Sequence, residues 1–103
     1  MRQALIGVDV GTSSARAGVF DETGALLATA RHPIAVWHEA GNVVEQSSSD
    51  IWAACAASVR AAMAEAALPP SAVKGLGFDA TCSLVVAAVW RWRRRVRLRR
   101  VGI

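Results

Sequence analysis

Over the first thirty positions, apolar residues come in short bursts separated by polar turns. Ala4 to Val10 (ALIGVDV) is an apolar stretch interrupted by Asp9 and closed by Gly-Thr-Ser-Ser, which predicts a buried strand ending at a polar site. Ala15 to Phe20 (ARAGVF) predicts a second strand, followed by the turn Asp21-Glu22-Thr23-Gly24, where glycine takes a positive φ at no steric cost. Ala25 to Arg31 (ALLATAR) predicts a third. Three strands joined by tight turns make an antiparallel meander.

The pattern then changes. His32 to Gln46 carries Pro33, Gly41 and Asn42 among mixed residues and reads as loop, with Val43 to Glu45 briefly extended. Ser48 or Ser49 is the expected cap of a helix running to about Ala67, with Asp50 in a first turn that favours negative charge. Ile51, Trp52, Cys55, Val59, Ala62, Met63 and Ala66 recur at steps of three and four and predict one buried stripe, with Ser58, Arg60 and Glu65 off it. Pro69 and Pro70 stop the helix. Val73 to Phe78 reads as a fourth strand ending at Asp79-Ala80-Thr81-Cys82-Ser83, and Leu84 to Val86 begins a fifth. The class is α/β, without internal repeats.

Composition refines this picture. A chain of 103 residues, 53% hydrophobic with a mean hydropathy of +0.31, is globular in character, although much of the hydrophobic content is alanine, which adds little buried area. The net charge of +4 suggests an anionic partner only until its location is read. Seven arginines lie within residues 91 to 100, leaving five basic residues against eight acidic ones before them, a net of −3. Cys55 and Cys82 have no metal-ligand spacing with His32 or His38, so neither a zinc site nor a disulfide framework is expected. Asp9 interrupts the first apolar run too early for a secretory or membrane segment, and the expected location is the cytoplasm.

The sharpest motif is Asp9-Val10-Gly11-Thr12-Ser13-Ser14-Ala15-Arg16, between the first two predicted strands. Its residue types suit phosphate. Gly11 lets backbone amides approach an anion, the hydroxyls of Thr12, Ser13 and Ser14 donate hydrogen bonds, and Arg16 adds a forked cation. Asp9 repels phosphate directly, but fits if a hydrated Mg²⁺ lies between them, since that ion prefers carboxylates and phosphates and keeps several waters. The plainer reading is a hairpin whose turn Asp9 caps. Two further segments carry polar groups beside predicted elements: Trp37 to Ser47, with Glu45 and Gln46 just before the helix, and Gly75 to Ser83. Local turn bonds by Asp79 and Thr81 are the plainer account of the latter. Trp37 reads as a core residue, and Cys55, within the helical stripe, likewise.

Residues 6 to 20 resemble the first phosphate-binding hairpin of the sugar kinase, actin and heat-shock ATPase superfamily. Gly75 to Ser83 resembles a strand and loop of FGGY carbohydrate kinases, in particular the pentulose kinases akin to ribulokinases. The resemblance runs from about Ala4 to Val86 and implies the first part of a ribonuclease-H-like domain. It implies ATP and Mg as cofactors, with Asp9, Gly11, Thr12, Ser13, Ser14 and Arg16 at the nucleotide phosphates and Asp9 reaching the metal through water. It also implies Glu45, Gln46, Asp79, Thr81 and Cys82 at the sugar, a ketopentose such as ribulose. In the family, phosphoryl transfer occurs in a cleft between two domains, and catalysis there rests on positioning and charge neutralisation by both walls. The general base, the second phosphate loop and the adenosine pocket have no counterpart here, so the expectation for this chain alone is little or no turnover and no catalytic residue of its own.

Residues 87 to 103 are expected to lie outside that fold, as alternating valine, tryptophan, leucine and arginine of the kind a shifted reading frame yields in GC-rich DNA. The alternative is a basic element for nucleic acid or an anionic surface, with Trp90 and Trp92 stacking or inserting. The leading expectation is no specific nucleic acid and no membrane as partners.

Overall fold

The structure is a computed structural model and describes residues 2–38, 44–80, 84–87 and 97–100. The meander is present: β1 (Ala4–Val10), β2 (Ser14–Asp21) and β3 (Leu26–Pro33) pair antiparallel in sequence order. After two short strands, β4 (Trp37–His38) and β5 (Val44–Ser47), helix α1 (Ser48–Ala66) carries the chain back across the sheet. A 3₁₀ turn (Pro70–Ala72) then leads into β6 (Val73–Ala80), which lies parallel to β1. Parallel neighbours need such a long crossover, and α1 supplies it. The main sheet runs β3-β2-β1-β6.

Alternation decides which face is covered. Ala4, Ile6, Val8 and Val10 of β1 and Ala15, Ala17 and Val19 of β2 are buried beneath α1, whereas Leu5 and Asp9 point to the other side and are exposed. The helix meets this face with Ala54, Cys55, Ser58 and Ala62. Alanine on both surfaces lets the helix backbone come close, so residues that bury little area apiece define the interface.

Two expectations about the helix change. Trp52 is 68% exposed, and Ser58 is buried among the core residues, with its Oγ 2.8 Å from Ala54 O and 3.1 Å from Ala15 O. Ile51, Cys55, Val59, Ala62, Met63 and Ala66 do face the core, but the edge of the stripe shifts from Trp52 to Ser58, because close approach favours alanine and serine over a bulky indole. The cap is Ser47, one residue before Ser48: it has extended backbone, and its Oγ accepts from the Asp50 amide at 3.4 Å. The helix ends on Ala67 in the left-handed region, at φ 55°, with Pro69 and Pro70 following.

Trp37 is exposed as well, not core. A second sheet, ordered β4-β5-β8-β7, is completed by β7 (Leu84–Ala87) and β8 (Arg97–Arg100), the latter antiparallel to both β5 and β7. A strand in the arginine-rich segment was not expected from its sequence. Trp90 and Trp92 lie outside the described residues.

Candidate phosphate-binding hairpin

The turn between β1 and β2 is short, and the surrounding chain holds it on several sides. Gly11 N donates to Ser14 O at 2.9 Å and closes it, leaving Thr12 and Ser13 as the two central residues. Both keep negative φ, since only Ala67 and Gly24 among the described residues take positive values. It is therefore not one of the primed turns that two-residue hairpins favour. A Cβ on Gly11 would stand 3.1 Å from Ser14 O, closer than a side chain comfortably sits, which accounts for glycine here. Ile34 N donates to Ser13 O at 2.8 Å, and the amide of Gln46 donates to Thr12 O at 2.5 Å. Ala35 N in turn donates to Asp50 Oδ2 at 2.8 Å, tying the segment after β3 to the start of α1.

Pairing register places the charged residues. Asp9 on β1 lies opposite Arg16 on β2 and beside Asp79 on β6, and Arg16 lies opposite Arg31 on β3. Residues paired in this way share a face, so Arg31, Arg16, Asp9 and Asp79 form one transverse row on the side away from α1, and all four are exposed. The next row is Thr29, Gly18, Gly7 and Gly77, small residues that leave the charged row unobstructed. Phe20 leans over this row: a Cβ on Gly18 would meet its ring at 2.9 Å. The two carboxylates offer adjacent hard oxygen donors at the ends of parallel strands, next to a turn bearing three hydroxyls. That donor set fits an ion of the Mg²⁺ type, held through carboxylates and water. Among the described residues no group of three or more His, Cys, Asp or Glu side chains gathers for a fully protein-bound metal.

The expected site residues are thus partly brought together. Asp9, Gly11, Thr12, Ser13, Ser14 and Arg16 lie along the hairpin, and Asp79 joins them from β6, within the strand and not in the loop after it. Glu45 lies in β5, paired with Trp37. Gln46 is 3% exposed and holds Thr12 O, a role its sequence position beside a helix cap did not suggest. Thr81 and Cys82 lie outside the described residues. The Asp9–Asp79 neighbourhood had a signal in the sequence, since Gly7-Val8-Asp9 and Gly77-Phe78-Asp79 repeat one pattern on two strands that pair in register. Cys55 is buried, and loss of solvent pushes its thiol pKa up, which disfavours a reactive thiolate.

Comparison with known proteins gives the family. Residues 4–89 match the N-terminal domain of the FGGY family of carbohydrate kinases. The chain belongs to that family, and its sheet and helix form the opening part of the ribonuclease-H-like ATPase fold. A D-ribulokinase of Saccharomyces cerevisiae is 48% identical over 83 residues, 81% of this chain and 12% of the yeast protein. An FGGY carbohydrate kinase domain-containing protein of Homo sapiens is 52% identical over 81 residues, 79% of this chain and 14% of its own length. A glycerol kinase of Citrifermentans bemidjiense is 32% identical over 106 residues, 91% of this chain and 21% of the kinase. The chain therefore spans a small part of each of these relatives. No helix among the described residues is long and apolar enough to cross a membrane.

Proposed function

We propose that the β1–β2 hairpin binds the phosphates of Mg-ATP and that the adjoining edge of the sheet belongs to a sugar site, the whole being one wall of a carbohydrate kinase cleft. The carrying observation is the single row of Arg16, Asp9 and Asp79 at the mouth of the Gly11–Ser14 turn, inside the segment that matches the family. In this reading Gly11, Thr12, Ser13 and Ser14 receive the phosphate oxygens, and Arg16 supplies a compensating charge that also orients Asp9. Asp9 would hold Mg²⁺ through water, and the ion, when bound, neutralises phosphate charge during transfer. Asp79 and Glu45, with Thr81 and Cys82, are the sugar-side residues in this reading, whereas Gln46 is buried with its amide bonded to Thr12 O and leaves that set.

A ketopentose such as ribulose is the proposed substrate, supported by the identity to the yeast protein named a D-ribulokinase. Glycerol kinases are more distant relatives and make a three-carbon polyol the competing class. Phosphoryl transfer requires the opposing wall, so this chain by itself is expected to show little or no ribulose-dependent ATP turnover. The family match ends at residue 89, which supports assigning the arginine-rich segment from about Ala87 to a part outside the kinase domain.

The test is amide NMR on the ¹⁵N-labelled chain, titrated with ATP with and without Mg²⁺, beside a coupled turnover assay. Shifts centred on Gly11 to Ser14 that need Mg²⁺ and are lost in Asp9→Asn are the expected result. Nucleotide shifts elsewhere on the molecule, or robust turnover by the chain alone, would overturn it.

A further inference from the structure

We propose that Gln46 is a positioning residue for phosphate, a strut beneath the hairpin that turns its backbone amides outward; this rests on the phosphate reading given above. Gln46 and Ser58 are the buried polar side chains among the described residues. Burying an amide costs free energy unless its hydrogen-bonding groups are matched. Gln46 crosses from the residue before the helix cap to the hairpin, 34 positions away, and bonds the carbonyl of Thr12. Thr12 O can only accept, so the side-chain amide must present Nε2 to it.

The consequence follows from peptide geometry. Every described peptide bond is trans, and in a trans peptide the carbonyl and the following N–H point in opposite directions. With Thr12 O held by Gln46 and Ser13 O held by Ile34 N, the N–H groups of Ser13 and Ser14 are aimed away from those two supports. Gln46 also polarises the Thr12–Ser13 peptide in the sense that makes the Ser13 N–H a better donor. An unprimed two-residue turn matches the twist of its strands poorly, and these two bonds brace it from outside the hairpin. Ser58 makes a contrast. Its one hydroxyl proton is shared between Ala54 O and Ala15 O, and neither carbonyl belongs to the central peptides of the turn.

The experiment measures Mg-ATP affinity from the hairpin amide shifts of the full 103-residue chain. Gln46→Met keeps length and removes the donor, and its affinity should fall about tenfold, of the order expected for loss of one hydrogen bond that orients the binding amides. Gln46→His restores an N–H donor and should return affinity to within about threefold of the unaltered chain, while Ser58→Ala should lower stability yet stay within about twofold. A second reading needs no variant: the Gln46 Nε2–H resonance should move together with the Ser13 amide as Mg-ATP is added. A folded Gln46→Met that binds as the unaltered chain does, or a Gln46 resonance that stays fixed while the hairpin amides shift, overturns the role of Gln46 and leaves the phosphate reading standing. Absence of hairpin shifts in the unaltered chain overturns the phosphate reading itself, and the strut with it.

Discussion

Val8 and Trp52 offer a direct test of how α1 sits on the sheet. Val8 is 2% exposed on β1, one residue before Asp9, and faces the helix; Trp52 is far larger but lies mostly in solvent. Val8→Ala removes two buried carbons, worth about 1.6 kcal/mol at roughly 0.8 kcal/mol each. A residual void of about 20–40 Å³ adds about 0.5–1 kcal/mol at roughly 24 cal/mol per Å³. The total of about 2–2.5 kcal/mol is a large fraction of the roughly 5–15 kcal/mol available to a domain of this size, and should lower the melting temperature by about 8–20 °C. Trp52→Ala should cost under about 1 kcal/mol, since most of the indole already meets water and alanine improves helix propensity by roughly half a kcal/mol. Urea denaturation followed by circular dichroism at the helix band reads both variants without relying on tryptophan fluorescence. If Trp52→Ala costs as much as Val8→Ala or more, the helix presents its indole to the sheet and the alanine interface described above is wrong.

Two further outcomes follow from local geometry. Ser47→Ala should destabilise the chain by about 0.5–1 kcal/mol, the lower part of the range for N-caps because the bond to the Asp50 amide is long, as measured by the same urea midpoint. Asp21 accepts from Thr23 Oγ1 at 2.6 Å, from Ala25 N and from Thr23 N, and these bonds, the Thr23 hydroxyl foremost, hold its pKa below the ordinary 3.8. A carboxyl with a depressed folded pKa contributes stability that is complete above its unfolded value and is lost as pH falls through the folded one. The stability gap between the unaltered chain and Asp21→Asn should therefore be constant from neutral pH to about 4 and narrow below 3.8; a gap that widens in acid refutes the assignment.

Legibility in the sequence tracked the range of the interaction. The β2–β3 turn was readable because Asp21 and Gly24 do their work within five residues: the carboxylate binds Thr23 and Ala25, and Gly24 takes φ 87°. The helix and most of its buried face were readable, since Asp50, the spacing of apolar residues and the two prolines are local signals, but the edge of that face at Trp52 and Ser58 was not. Hydropathy placed Trp52 in the stripe and Ser58 outside it, whereas the exposure of one and the burial of the other depend on how near the helix can come to Ala15 and Ala17 across the interface.

The candidate site divides the same way. By itself the amino-acid sequence determined that a glycine and three hydroxyls would sit at a strand-to-strand turn with Asp9 and Arg16 flanking it, because an alternating apolar pattern broken by Gly-Thr-Ser-Ser leaves few other arrangements. Only the tertiary structure decided that Asp79 stands beside Asp9 and that Gln46 lies buried under Thr12. Those two neighbours arrive from 70 and 34 positions away, through the parallel register of β6 and the docking of the segment before α1. Such contacts depend on the pairing of distant strands and on burial; the repeated Gly-x-Asp pattern hints at the first without fixing which strands pair, and nothing beside Gln46 signals the second.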